Sequence, residues 1–268
     1  MPPPATSAVL AVELVLLIGG LVLLWRQGLS PTARGRPALL PAWDVSLSDF
    51  FLFLWLIILG GVAGQFSLSL FLKHHPLDKA HLDIIGTAAF HGGMLLGMAV
   101  YRFVFARSKP HLTPVFFNAL SSGLVTFLIA LPVLTAVGLV WQGLLSLCHI
   151  TPENQEAIDL LRDTDSPALR FLLLVVAIMV APITEELIFR AGIFRYVRTR
   201  LPRWAALLLP AVLFASLHAN LGSFVPLVAL AVIFSLAFER TGNIGTTIVA
   251  HALFNLNASV LVLAGMNT

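Results

Sequence analysis

The constraint that decides the architecture is a series of eight apolar runs, at roughly 7–25, 48–71, 84–105, 114–147, 168–194, 204–219, 223–238 and 244–264. Several reach the ~20 residues that an α-helix needs to span a bilayer's hydrocarbon core. Of the 268 residues, 58% are hydrophobic and 11% charged, against about 25% charged in an ordinary soluble domain. A soluble fold with so little charge would have no means of covering its surface, so lipid has to do it. The expectation is an all-α, polytopic membrane helical bundle of about eight transmembrane helices. The first run follows "MPPPATS", which lacks a basic start, and precedes arginines. It reads as a retained span rather than a secretory signal. The fourth run is too long for one straight span and contains Pro132; a kinked helix or a re-entrant piece would accommodate it.

Lysine and arginine placement sets the expected orientation. Arg26, Arg34, Arg36, Arg102, Arg107, Lys109, Arg195, Arg198, Arg200, Arg203 and Arg240 fall in the odd-numbered loops, and Lys73, Lys79, Arg162 and Arg170 on the other side. The odd loops are therefore expected in the cytoplasm, both termini outside, and the acidic loop 151–167 outside. Residues 28–44 read as a Pro- and Arg-rich cytoplasmic linker into the second span. The same scattering of basic residues over short loops explains the basic balance of the chain without nucleic acid. The single cysteine, Cys148, rules out an intrachain disulfide framework and is given no role.

Within the fifth run, "AIMVAPITEELIFRAGIF" places Glu185, Glu186 and Arg190 in apolar surroundings. Charges near the bilayer centre cost about 2.5–3.5 kcal/mol each on insertion scales and face a protein interior or a wet cavity. Glu186 and Arg190 are four apart and share a helix face, so they are expected to pair as structural support. Glu185 lies about 100° round the helix and is left without a local partner. Pro182 removes a helix hydrogen bond just before it. Glu185 would sit ~13 Å below the cytoplasmic edge at ~1.5 Å per residue, too deep for glutamate to snorkel.

Two later runs add Phe214 with His218, and His251 with Asn255, each at i, i+4. A glutamate with a histidine can take a proton from water. A second histidine with an asparagine can donate to the oxyanion formed when water attacks an amide. Glu185, His218 and His251 could instead ligate zinc, since two histidines and a carboxylate form a known catalytic set. His251 lies ~12 Å deep, matching Glu185, whereas His218 lies ~21 Å deep, which calls for a tilted or deeper-starting sixth span. His91, in "FHGG" of the third run, reads as a packing residue, and Glu13 of the first run has no assigned task.

"EELIFR", "FASLH" and "HALFN" together resemble the EExxxR, FxxxH and HxxxN motifs of the CAAX prenyl protease and bacteriocin-processing (CPBP, or Abi) family, in the family order over residues 185–255. The resemblance implies an intramembrane endopeptidase with N-terminal spans and an acidic loop over 1–165 and the catalytic core over 166–268. By motif position it implies Glu185 and His218 as the water-activating pair and His251 with Asn255 as the oxyanion site. Glu186, Arg190 and Phe214 would support them. Its substrate would be a membrane-anchored protein or peptide, and its site would open toward the cytoplasm of a cell-membrane protein. A metal-free glutamate mechanism is favoured over zinc, because Asn255 is a poor zinc ligand and one unpaired carboxylate would have to serve as both ligand and base. The rival classes are a non-catalytic immunity or scaffold protein of the same fold, and a transporter, which the missing internal repeat disfavours.

Overall fold

The computed structural model describes residues 4–73, 77–105, 116–153 and 155–266. Arg107 and Lys109 of the orientation count lie outside the described residues. Among these residues every regular element is a helix, and the protein is a polytopic helical membrane bundle. Seven helices are long and apolar enough to cross a membrane: α1 (Ser7–Leu29), α2 (Leu47–Leu72), α3 (Lys79–Phe105), α4 (Phe117–Leu147), α6 (Pro167–Arg198), α8 (Leu221–Thr241) and α9 (Ile244–Leu263). Between them lie shorter helices, a single turn at Pro31–Arg34, α5 (Glu156–Asp163) in the acidic loop and α7 (Arg203–Leu217). The expected span 204–219 is thus a 15-residue helix, about 22 Å long at ~1.5 Å per residue. It forms a hairpin with α8 through a short turn in which the Asn220 amide donates to the Glu153 carbonyl at 3.0 Å. That turn sits at the acidic end of the bundle, and the arginine-rich loops lie at the other.

The fourth run is one continuous helix carrying Pro132, and no re-entrant piece forms. Pro132 has no N–H for the Leu128 carbonyl. That carbonyl instead faces Gly20 of α1 so closely that a Cβ there would lie 2.1 Å from it. The α2–α3 pair shows a similar fit along its length. A Cβ on Gly60 would meet the Gly93 carbonyl at 2.2 Å, and one on Gly97 would meet the Leu56 carbonyl at 2.1 Å. Small residues at four-residue spacing let helix backbones touch, which is how helices associate where burial from water offers little gain.

Residues 36–46 lead into the second span, as expected of the linker. They run extended across the arginine-rich end as a strap. The backbone N–H groups of Leu39 and Leu40 donate to the Glu239 carbonyl at 2.9 and 3.1 Å. Arg195 donates to the carbonyls of Pro41 and Ala42 at 2.9 and 3.1 Å, and Arg200 donates to that of Val45. Trp43 stands edge-on to Phe53, 5.4 Å between centroids, and to Phe50 and Tyr196, which stack on each other at 3.8 Å. An extended stretch with no ladder partners must satisfy its backbone elsewhere, and here side chains and a helix terminus do it. Beneath the strap, α2, α3, α6, α7 and α8 share one apolar core containing Ile57, Met94, Phe189, Phe214 and Ala231.

Candidate active site

The site is built around a disturbance in α6. Wide π-type turns occupy Val176–Val180 and Leu187–Phe194, with ordinary helix over Ala181–Glu186 between them. In the first wide turn the Ala181 N–H bonds back to the Val176 carbonyl, so the Ala177 carbonyl loses its usual partner. The next residue, Pro182, has no N–H to offer. The orphaned carbonyl is taken by Asn255 of α9, whose Nδ2 donates to it at 2.7 Å. One of the two amide N–H groups of Asn255 is thus spent on holding α6, leaving the other and the amide oxygen.

Glu186 and Arg190 pair as their spacing requires, Nη1 to Oε1 at 2.9 Å, with side chains 0% and 1% exposed. The same Glu186 oxygen accepts from Nδ1 of His251 at 2.9 Å, a contact across 65 residues of sequence. The other His251 nitrogen, Nε2, lies 3.7 Å from Oε2 of Glu185. His251 therefore stands between two carboxylates from neighbouring positions on one helix, held by the buried one and facing the other. Glu185 keeps 20% of its side chain exposed, so it is the member of this row that solvent or a substrate can reach. Arg190 lies between two aromatic faces, 4.8 Å from the Phe214 centroid and 5.4 Å from that of Phe234. Each face offers a cation the negative side of its quadrupole. Glu186 Oε2 and Arg190 Nη2 are buried without a hydrogen-bond partner.

His218 occupies the C-terminal end of α7 and is exposed. Its Nδ1 donates to the Phe214 carbonyl at 2.8 Å, and its ring lies on the Phe214 ring, 4.6 Å between centroids. The proton on Nδ1 leaves Nε2 as an acceptor in the neutral ring. Helical side chains slope toward the N-terminus, so the ring drops over the preceding turn toward Phe214. Phe214 also faces His251, 6.3 Å between centroids. The slope narrows the depth gap between His218 and His251 read from the sequence, and the Phe214 ring stands between the two imidazoles. Among the described residues no hydrogen bond or ion pair joins His218 to Glu185. Nor do any three His, Cys, Asp or Glu side chains converge closely enough to hold a metal ion there.

The sequence-derived set is therefore drawn together, with Glu185, Glu186, Arg190, Phe214 and His251 in one contiguous cluster and His218 and Asn255 at its edges. What sequence reasoning missed is the grip of Glu186 on His251 and of Asn255 on Ala177, since neither leaves a local spacing to read. Cys148 is exposed, and no hydrogen bond or ion pair engages Glu13 among the described residues.

Residues 167–257, which hold every member of this cluster, match the family model described as type II CAAX prenyl endopeptidase Rce1-like. A Bacillus subtilis (strain 168) protein named "Putative membrane peptidase YdiL" is 33% identical over 84 residues, 31% of this chain and 34% of that protein. Both matches support the CPBP family. The CPBP resemblance carried by the three motifs is thereby borne out. The chain spans about a third of the length of the curated relative it matches. No solved structure matches it.

Proposed function

We propose that this chain is an intramembrane endopeptidase that hydrolyses a peptide bond in a membrane-anchored protein or peptide. The observation that carries the reading is the row Glu186–His251–Glu185. One imidazole is held through Nδ1 by a buried carboxylate and presents Nε2 to a second, accessible one at 3.7 Å. An imidazole fixed in this way holds Nε2 as a donor beside the carboxylate that serves as base.

In this mechanism Glu185 takes a proton from water as the water oxygen bonds to the scissile carbonyl carbon, with the free Nε2 of His218 as the second acceptor. The carbonyl π electrons move to oxygen. That oxyanion is met by Nε2–H of His251 and the remaining N–H of Asn255. When the C–N bond breaks, Glu185 returns its proton to the leaving amine. A doubly protonated His251 donates from both nitrogens. The charges of Glu185, Glu186, Arg190 and His251 then cancel, which suits a site of low dielectric. This is the metal-free reading, supported by Asn255 acting as an amide donor rather than a ligand. In this reading the arginine-rich end lies in the cytoplasm of a cell-membrane protein, and His218 lies beside the turn at the opposite, acidic end.

The test compares membrane peptidomes from cells carrying the intact protein or Glu185→Ala. Fragments present with the first and missing with the second support proteolysis. Identical peptidomes at equal protein levels refute it.

A further inference from the structure

His91 reads from sequence as a packing residue, and the structure buries it in the bundle but leaves one ring nitrogen without a partner in the protein. It lies on α3, whose two sides do different work. Ala89, Gly93 and Gly97 form the seam against α2, where a Cβ on Gly64 would lie 2.3 Å from the Ala89 carbonyl. His91 is two residues from both Ala89 and Gly93, about 200° round the helix, so it faces away from that seam. On its own side follow Met94, Met98 and Tyr101, which share an apolar cluster with Ile188 and Phe189 of α6 and with Phe53 and Ile57 of α2. The helix packs directly against Ala181–Glu186, the turn of α6 that bears Glu185.

The imidazole is only 9% exposed, and its Nδ1 is buried with no hydrogen-bond partner in the protein. A ring needed only for its volume would leave that nitrogen unsatisfied, at a cost of about 1–3 kcal/mol, where phenylalanine or leucine would cost nothing. Buried polar atoms without a protein partner are commonly served by water, which needs a polar site with two or more partners. A water at the buried nitrogen on α3 would need a second partner, and the facing turn of α6 carries the accessible carboxylate of Glu185.

We propose that His91 is a positioning residue of the site, whose Nδ1 hydrogen-bonds a water held between it and the Glu185 carboxylate. This rests on the proteolytic reading for what that water does. It extends the machinery to the N-terminal half of the chain, beyond residues 167–257 that match the family.

The test uses the full-length protein in detergent or liposomes with a cleavable membrane peptide, and compares His91→Phe with His91→Asn. Phenylalanine keeps the ring and loses the hydrogen bond. Asparagine loses the ring and keeps a polar group near the Nδ1 position. A positioning role predicts that His91→Phe lowers kcat about tenfold, the rate equivalent of one hydrogen bond, with KM within about twofold, and that His91→Asn is the more active. A space-filling role predicts the reverse order, and that order, or full activity in His91→Phe, overturns the proposal. A second arm is independent of turnover. In histidine-labelled protein, the imidazole signal that disappears in His91→Phe must move in Glu185→Gln while that of exposed His81 stays. A His91 signal unmoved by Glu185→Gln overturns the proposal even if the protein cleaves. Absence of cleavage by the intact protein, with the signal moving, counts against the protease reading and leaves the coupling standing.

Discussion

Two carboxylates in this bundle are buried beside arginine, and they are finished differently. Glu239, at the arginine-rich end, has both oxygens engaged, Oε1 by Arg198 at 2.7 Å and Oε2 by Arg203 at 2.8 Å. Those arginines remain 34% and 53% exposed. Glu186, in the middle of α6, gives one oxygen to both Arg190 and His251 and leaves the other without a partner, and its arginine is 1% exposed. The first arrangement is closed and reaches water, as suits a latch between helix ends. The second is incomplete, cut off from water and joined to an imidazole that faces an accessible acid. An unsaturated polar cluster in an apolar interior is costly to keep, and its persistence here points to a use other than cohesion.

Substitutions at the two glutamates sharpen that contrast. Glu186→Gln leaves the buried Arg190 without its counter-charge and is expected to destabilise the protein by about 3–5 kcal/mol, seen as a lower Tm in detergent. It should also remove cleavage, because His251 loses its anchor. If the variant keeps wild-type Tm, the cluster is not under the electrostatic tension described. Next is Glu185→Gln, expected to lower cleavage about 10²–10⁴-fold, the range for losing a general acid–base group, while leaving Tm nearly unchanged, since 20% of that side chain is exposed. A variant that loses stability and activity together would make Glu185 a second structural charge and erase the distinction.

Glu239→Gln should cost only about 1–2 kcal/mol, because its arginines rehydrate and the amide still accepts one bond, and the cleavage rate per folded molecule should not change. A catalytic defect there would mean that the strap and the site communicate. The smallest effect belongs to Asp78, a carboxylate with comparable partners but wholly in water. It caps α3 through the His81 N–H at 2.9 Å and meets the His81 ring at 2.8 Å. The His81 N–H, and then the His81 side chain, hold its carboxyl below the ordinary value of 3.8. A depressed carboxyl stabilises the fold above its unfolded value and loses that contribution as pH falls through the folded one. The Tm difference between wild type and Asp78→Ala should therefore be constant above about pH 5 and shrink below pH 3.8. A difference that grows on acidification would assign the cap to the protonated form.

The same contrast explains how far the sequence could be read. Helix number and the Glu186–Arg190 pair were legible because membrane thickness and a four-residue spacing are local properties. The three motifs singled out the cluster for the same reason, each lying within one helical turn and a half. The His251–Glu186 contact joins positions 65 apart, and nothing near either residue announces the other. The strap was read as a linker because its partners are backbone carbonyls of Pro41, Ala42 and Val45, which every residue has and no sequence marks. Several arginines counted toward orientation, among them Arg195, Arg200 and Arg240, are engaged with main-chain carbonyls of residues 27–45. Their number is thus set by the fold as well as by topology. The direction that His91 faces is not legible, because a lone histidine on an apolar helix gives no hint of it.

The guanidinium at position 190 is flat, and it is pressed between the rings of Phe214 and Phe234. A lysine would restore the charge but not the planar, forked group that reaches Glu186 while lying over both rings. The slot accepts one shape. Swaps among aliphatic neighbours can be absorbed by small adjustments nearby, whereas this residue has no substitute that is alike in both charge and form. Tolerance to change in the interior should therefore fall abruptly at one point rather than fade smoothly with depth.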